Sequence, residues 1–303
     1  MVSTTFASFD RLFSHCGRES LGWLLIDEAG QATPQSAAGA LWRCQRAVIV
    51  GDPRQLEPIV SLPFTAQQAL RAHFGVEETW LPSKNSVQTL ADRVSRFGTW
   101  LQSENPDEPL WVGSPLRVHR RCEKPMFEIS NEIAYSGQMV NDTQEIPSLL
   151  PPSSWIDVKA VESDDHWIPA EGVALEILLA DLHRSGVSSA NILLISPFRA
   201  VARNVKEIAS RHGITQSGTI HVSQGKESDI VILVLGGDPR RLGAKDWASE
   251  KPNLLNVAVS RAKRRLFIIG NREEWSQYPN FSDASALLAK EEKLRARGVS
   301  GAR

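Results

Sequence analysis

The chain has 303 residues, 42% hydrophobic and 23% charged, with 34 Lys and Arg against 35 Asp and Glu. That length suggests about two domains, and the composition excludes a disordered chain, a collagen-like repeat and a polyanion-binding tail. No apolar run nears the roughly 18 residues that span a bilayer, Met1–Asp10 lacks a secretory leader, and Cys16, Cys44 and Cys122 are too few and scattered for a disulfide framework or a zinc site, so a reducing, cytoplasmic setting is expected.

In chain order, short β-branched or Leu-rich runs occur at Leu21–Ile26, Ala47–Val50, Leu110–Val112, Trp155–Val158, Asn191–Ile195, Thr219–Val222, Ile230–Leu235 and Leu266–Ile269. Such near-continuous apolar runs predict strands covered on both faces, as in a parallel sheet. Segments with helical spacing lie between them, among them Gly172–Arg184 and Arg199–His212. The alternation predicts an α/β architecture with right-handed crossovers. Ser103–Pro109 is polar, acidic and holds two prolines, and Gly113-Ser114-Pro115 follows, so a break is expected there. The expected units are 1–113 and 114–275, then a polar tail, 276–303, with a small helix around Ala284–Arg297. Asn141–Ser154, with Pro147, Pro151 and Pro152, is expected to be a loop.

Polar clusters follow these runs, where open α/β sheets bind ligands beyond the carboxyl ends of their strands. Leu21–Ile26 runs into Asp27-Glu28-Ala29-Gly30-Gln31. Two adjacent carboxylates at a strand end can hold a divalent cation and orient a nucleophilic water; an N-cap for the next helix is the plain alternative. Ala47–Val50 ends in Gly51-Asp52-Pro53-Arg54-Gln55-Leu56-Glu57-Pro58, whose tight loop would present Asp52, Arg54 and Gln55 at the same edge, or form only a capped turn. A third cluster is Gly218–Asp229, where the Gly225 amide can approach a phosphate and Glu227 can accept from a ribose hydroxyl. Arg240–Arg265 carries eight Lys/Arg against two Asp/Glu, either a partner surface or a solvated face. The seven histidines show no metal-ligand spacing with the cysteines, and no Gly-x-Ser-x-Gly nucleophile elbow occurs. The nine tryptophans are scattered in a way that fits cores and domain contacts better than a base-stacking strip.

In order, these clusters resemble the later motifs of superfamily 1 helicases, in the branch of the nonsense-mediated decay RNA helicase and its nuclease-helicase relatives. Asp27-Glu28-Ala29-Gly30-Gln31 looks like motif II, Gly51-Asp52-Pro53-Arg54-Gln55-Leu56 like motif III, and Ser196-Pro197-Phe198-Arg199 like the Pro-aromatic-Arg segment of the second RecA-like domain. Gln224-Gly225-Lys226-Glu227 looks like motif V and Asn256–Lys263 like motif VI, while Ser3-Thr4-Thr5 resembles the strand-end segment upstream of motif II. The resemblance spans about residues 2 to 272 and implies two RecA-like parallel-sheet domains, the first incomplete. It implies ATP and Mg2+ as cofactors, bound between the two domains, and a single strand of DNA or RNA as partner.

By resemblance, Asp27 holds the magnesium ion, Glu28 polarises the attacking water, Gln55 senses the γ-phosphate and Arg261 is the arginine finger. Gly225 and Glu227 contact the nucleotide; Ser3, Thr4, Thr5, Pro197, Arg199 and His221 contact the strand. Two departures stand out. Leu116-Arg117-Val118-His119-Arg120-Arg121 has His119 and Arg120 where the branch has Gln and Tyr; Arg121 fits the phosphate role, and the Arg120 guanidinium would stack on the base. The family's phosphate loop, Gly-x-x-x-x-Gly-Lys-Ser/Thr, is absent, since the one Gly-Lys pair, Gly225-Lys226, is followed by Glu227. The expectation is the carboxyl-terminal motor portion of an ATP-dependent helicase or translocase, needing an N-terminal segment or partner chain that carries the loop. The alternatives are an ATP-independent binding module for single strands or proteins, and a non-functional helicase fragment.

Overall fold

Runs of Ile, Val and Leu bounded by glycine and proline become strands because branched side chains suit a pleated, buried surface. The computed structural model describes residues 1–103, 105–144, 146 and 150–296, with the backbone alone at Leu242 and residues 294–296. Glu145 and 147–149 of the expected loop, and the expected helix end at Arg297, lie outside the described residues. The chain divides into two compact units, Met1–Leu116 and Arg117 onward.

The first unit runs α1 (Phe6–Leu12), β1 (Leu21–Ile26), α2 (Pro34–Arg43), β2 (Cys44–Ile49), α3 (Phe64–Phe74), α4 (Val87–Val94), β3 (Gly98–Leu101) and β4 (Leu110–Gly113). Strands β1 and β2 pair in parallel, Ile26 opposite Ile49. A small core of Ile26, Ala29, Ala37 and Val87 packs at their carboxyl end. The run at Leu110–Val112 departs from the parallel expectation. It forms an antiparallel pair with Gly98–Leu101, held by the Trp100 and Trp111 rings 5.0 Å apart. Aromatic cross-strand pairs of this kind stabilise a hairpin without a parallel neighbour.

The second unit runs β5 (Val118–His119), α5 (Met126–Tyr135), β6 (Val140–Asn141), β7 (Ser154–Asp157), α6 (Pro169–Arg184), β8 (Ile192–Ser196), α7 (Arg199–Arg211), β9 (Gln216–Thr219), β10 (Ser228–Val234), α8 (Leu242–Ser249), α9 (Asn253–Ser260), β11 (Ala262–Gly270), α10 (Arg272–Trp275) and α11 (Pro279–Ala296). Its five-stranded sheet, order β7-β11-β10-β8-β9, is wholly parallel. Helix α7 presents Val201, Ala202, Val205, Ile208 and Ala209 at the i, i+4, i+7 spacing of an inward stripe. Ile192–Ile195 and Ile230–Val234 are essentially without solvent contact, as strands covered on both faces must be.

Two expectations change here. The polar tail after residue 275 instead contributes α11, whose Phe281, Ala284 and Leu288 are buried, with Phe281 against Trp155 and Trp275. The strand expected at Thr219–Val222 lies earlier, at Gln216–Thr219, and a tight helical turn, His221–Ser223, follows it. Among the described residues no helix is long and apolar enough to cross a membrane.

Candidate functional site

In the first unit, parallel pairing brings the residues after β1 and β2 to one sheet edge. The ladder continues past both strands, Val50 N–H donating to Ile26 O at 2.8 Å and Ala29 N–H to Val50 O at 2.9 Å. Glu28 then turns left-handed, at φ 53° and ψ 38°, conformational space that non-glycine residues rarely occupy. Strain of this kind persists only where the surroundings enforce it, and it collects at functional sites. The surroundings here are backbone: a Cβ on Gly30 would meet Asp52 O at 2.8 Å, and one on Gly51 would meet the Ala29 and Gly30 nitrogens at 2.8 Å. Glycine at both positions lets the two loops lie main chain against main chain.

The carboxylates of Asp27 and Glu28 are exposed; Asp27 Oδ1 accepts from Glu28 N–H at 2.9 Å and Glu28 Oε2 from Gln31 Nε2 at 3.3 Å. Ser3, Thr4 and Thr5, also exposed, line the same cavity of about 1130 Å³ as Asp27 and Glu28. On the neighbouring loop Asp52 Oδ1 accepts from Arg54 N–H at 2.8 Å and its Oδ2 from Gln55 Nε2 at 3.1 Å, so Asp52 orients Gln55. Arg54 does not stay at the edge. It is 5% exposed and donates to Gln102 O, anchoring the loop from beneath.

In the second unit the third cluster is split between opposite edges of the sheet. Sequence spacing put Gly218–Asp229 beyond a strand's carboxyl end; the short β9 ends at Thr219, and the crossover to β10 carries Gly225–Glu227 to the amino edge. There three distant segments meet. Glu227 pairs with Arg121 at 3.0 Å and with Lys263 at 2.6 Å, and Arg261 Nη1 donates to Lys226 O at 3.4 Å. The Lys263 hydrogen bond, then the Lys263, Arg121 and Arg261 charges, hold the Glu227 carboxyl below its ordinary range. Arg261, the residue after α9, is 3% exposed, its Nη2 donating to Ser260 Oγ at 3.3 Å. Cys122 lies beneath this group, and burial pushes its thiol up to about 12 despite the nearby cations. Arg120 stands apart from it, pairing with Asp142 at 2.8 Å.

The carboxyl edge gathers the other set. Ile220 N–H donates to Ser196 O at 3.0 Å, which seats the His221 turn beside Pro197-Phe198-Arg199. Pro197 is buried and Arg199, the first residue of α7, is exposed. Burial, then the Arg199 charge, lowers the pKa of His221.

Sequence reading placed Asp52 at the sheet edge without its role in orienting Gln55, and gave Lys263 no role of its own. The Asp-x-x-Gln spacing of a side-chain turn was the available signal for Asp52; that Lys263 completes an ion triad is a tertiary fact. Among the described residues no group of three or more His, Cys, Asp or Glu is placed to hold a metal ion.

Residues 108–273 match the model of a family described as an AAA domain, and residues 1–62 match a second model of the same description. The first match covers more than half of the chain, and the chain belongs to the AAA domain family. Within it, this is a superfamily 1 helicase domain. The chain is 24% identical over 275 residues to the DNA replication ATP-dependent helicase/nuclease DNA2 of Gallus gallus, covering 86% of this chain and 24% of that protein. It is 29% identical over 266 residues to the 5'-3' DNA helicase ZGRF1 of Mus musculus, covering 82% of this chain and 13% of that protein. It thus spans a quarter or less of these two relatives. Among solved structures, the Arterivirus nonstructural protein 10 helicase with DNA matches 85% of this chain and 41% of its own, at 16% identity and a TM-score of 0.41.

Proposed function

We propose that this chain supplies the water-activating, charge-stabilising and strand-gripping residues of an ATP-driven motor that moves on single-stranded nucleic acid. The observation that supports this most is the meeting of Arg121, Glu227, Arg261 and Lys263, residues of three helicase motifs far apart in sequence, in one charged group.

Adjacent exposed carboxylates fit a magnesium ion, which takes one or two carboxylates and keeps water and phosphate in its other positions. In this reading Asp27 holds that ion, directly or through water. When bound, it neutralises charge on the phosphoryl oxygens. Glu28 orients the attacking water and accepts its proton, and its left-handed backbone fixes where that carboxylate stands. Gln55, aimed by Asp52, reads the terminal phosphate. Arg261 stabilises charge on the transferring phosphoryl group, a role worth on the order of a thousandfold in rate. Arg121, Gly225 and Glu227 contact the nucleotide, with Arg120 toward the base. Ser3, Thr4, Thr5, Arg199 and His221 contact the strand, mostly at its backbone, while the buried Pro197 shapes the turn that presents Arg199.

The test is single-strand binding followed by anisotropy of a labelled oligonucleotide, with and without ATP and magnesium. For the chain joined to a segment that carries the phosphate loop, the motor reading expects salt-dependent binding that ATP with magnesium weakens, and loss of that response in Arg261→Ala. Binding that stays indifferent to ATP in that joined chain would support an ATP-independent binding module instead.

A further inference from the structure

Trp247 lies on α8, between the segments that resemble motifs V and VI, and none of the roles above falls to it. It is 50% exposed. Its ring is parallel to that of His221 within 10°, with centroids 6.4 Å apart, an offset stacked pair that braces the indole. Beneath it the floor is rigid and aromatic. Phe198, 6% exposed, stands 6.4 Å from Trp247 and stacks on His166 at 4.6 Å; Trp275, fully buried, lies 6.4 Å from Phe198. Arg199 is the residue after Phe198, exposed, and near enough for its charge to act on His221.

An exposed flat ring on an immobile floor, beside an arginine, joins the two elements that hold single strands: a stacking platform for bases and a cation for the phosphates. We propose that Trp247, paired with His221, is a stacking platform for one nucleobase of a bound single strand, with Arg199 on the adjoining phosphate. This deepens the nucleic-acid reading above and rests on it. Stacking on a ring face does not select among bases, so the platform grips oligopyrimidine and mixed sequences alike. Its contribution is also uncharged, which separates it from that of Arg199.

The experiment measures binding of the full chain to fluorescein-labelled dT15 across a salt series, and to the same oligonucleotide with abasic positions throughout. Trp247→Ala is expected to weaken dT15 binding by roughly five- to a hundredfold, the range for loss of one stacked base. The salt slope should stay unchanged, and Trp247→Phe should recover most of the affinity. Abasic oligonucleotide should bind the wild-type chain and Trp247→Ala equally. Arg199→Ala should do the reverse, lowering the salt slope by about one phosphate contact. Wild-type binding that Trp247→Ala leaves untouched, or weakens equally on the abasic oligonucleotide, overturns the platform and leaves the nucleic-acid reading standing. If the wild-type chain binds no single strand at any salt, the nucleic-acid reading fails and the platform with it.

Discussion

The two units solve the same problem, covering a parallel sheet, to very different degrees. In the second, five strands are flanked by long helices, and Ile192–Ile195 and Ile230–Val234 are almost wholly buried. In the first, two strands pair, and Trp23 is 61% exposed, Leu25 67%, Val48 41% and Val50 46%. Each residue type prefers burial, so the second unit draws its stability from its sheet while the first draws much less. What order the first unit has is concentrated at the carboxyl ends of β1 and β2, where Ile26, Ala29 and Val87 pack and two glycines let the loops touch. At the carboxyl ends of β1 and β2, local backbone contact holds the two loops together.

The largest expected effect breaks the stronger side of that contrast. Glu123 and Arg265 are 8% and 3% exposed and pair at 3.1 Å, with Arg264 at 3.5 Å. Glu123→Ala leaves a buried guanidinium uncompensated and should cost the second unit about 3–5 kcal/mol in urea unfolding. The next prediction sets the two sheets side by side. Leu194→Ala in β8 should cost about 2–5 kcal/mol, whereas Leu25→Ala in β1 should stay within about 0.5 kcal/mol. Equal losses at Leu194 and Leu25 would mean that β1 is as well covered as β8.

The same contrast explains what could be read in advance. Ile230–Leu235 was legible as a parallel strand because burial on both faces demands branched, unbroken apolar runs; Leu21–Ile26 carries a similar run and pairs in parallel, yet Trp23 and Leu25 are exposed rather than covered as expected. Gln216–Thr219 was missed because Gln-Ser-Gly-Thr is polar; it lies at the sheet's edge against β8 only, where little apolar surface is required. That displacement moved Gly225–Glu227 from the carboxyl edge to the amino edge. The acids Asp27 and Glu28 were legible because strand-end chemistry is local in sequence. The Arg121–Glu227–Lys263 triad was not, since its members lie far apart and nothing short of the fold pairs them. Arg261 likewise follows an apolar helix face in sequence, while in the fold it is drawn under by Lys226 and Ser260.

A smaller effect sharpens the weaker side. Gly30→Ala sets a methyl 2.8 Å from the Asp52 carbonyl oxygen, and backbone on both sides leaves little room to yield. The expected cost is about 1–3 kcal/mol, confined to the first unit, and hydrogen exchange at Ala29 and Val50 should quicken while β8 and β10 keep their protection. Gly22→Ala is the control, since a Cβ there meets nothing within 4 Å. If both substitutions act alike, the close approach of the loops does not hold the site.

The gentlest probe is pH, and its effect near neutrality belongs to the second unit. Glu171, 2% exposed in the first turn of α6, accepts from Gly236 N–H at 2.7 Å, and burial pushes its carboxyl up to about 8. The hydrogen bond and Lys245 pull the other way, while Glu274 adds to the rise; Lys245 is itself paired with Glu274, so its charge is already answered. A carboxyl whose pKa is raised on folding binds a proton more tightly in the native than in the unfolded chain. Its contribution is therefore full below about 4.5 and is lost progressively as pH rises toward 8. Within that window the slope is at most about 1.4 kcal/mol per pH unit. Glu171→Gln keeps an oxygen for the Gly236 amide and carries no ionisable group, so it should flatten this part of the pH–stability curve and leave the variant the more stable form at pH 8. An unchanged slope in Glu171→Gln would place the titration elsewhere in the sheet's surroundings. The first unit holds a counterpart of the same sign in Asp92, whose carboxyl burial also raises while the Gly113 amide and Gln88 pull it down. Its contribution too is lost with rising pH, from a lower starting value, and Glu171→Gln should leave that part of the curve unchanged.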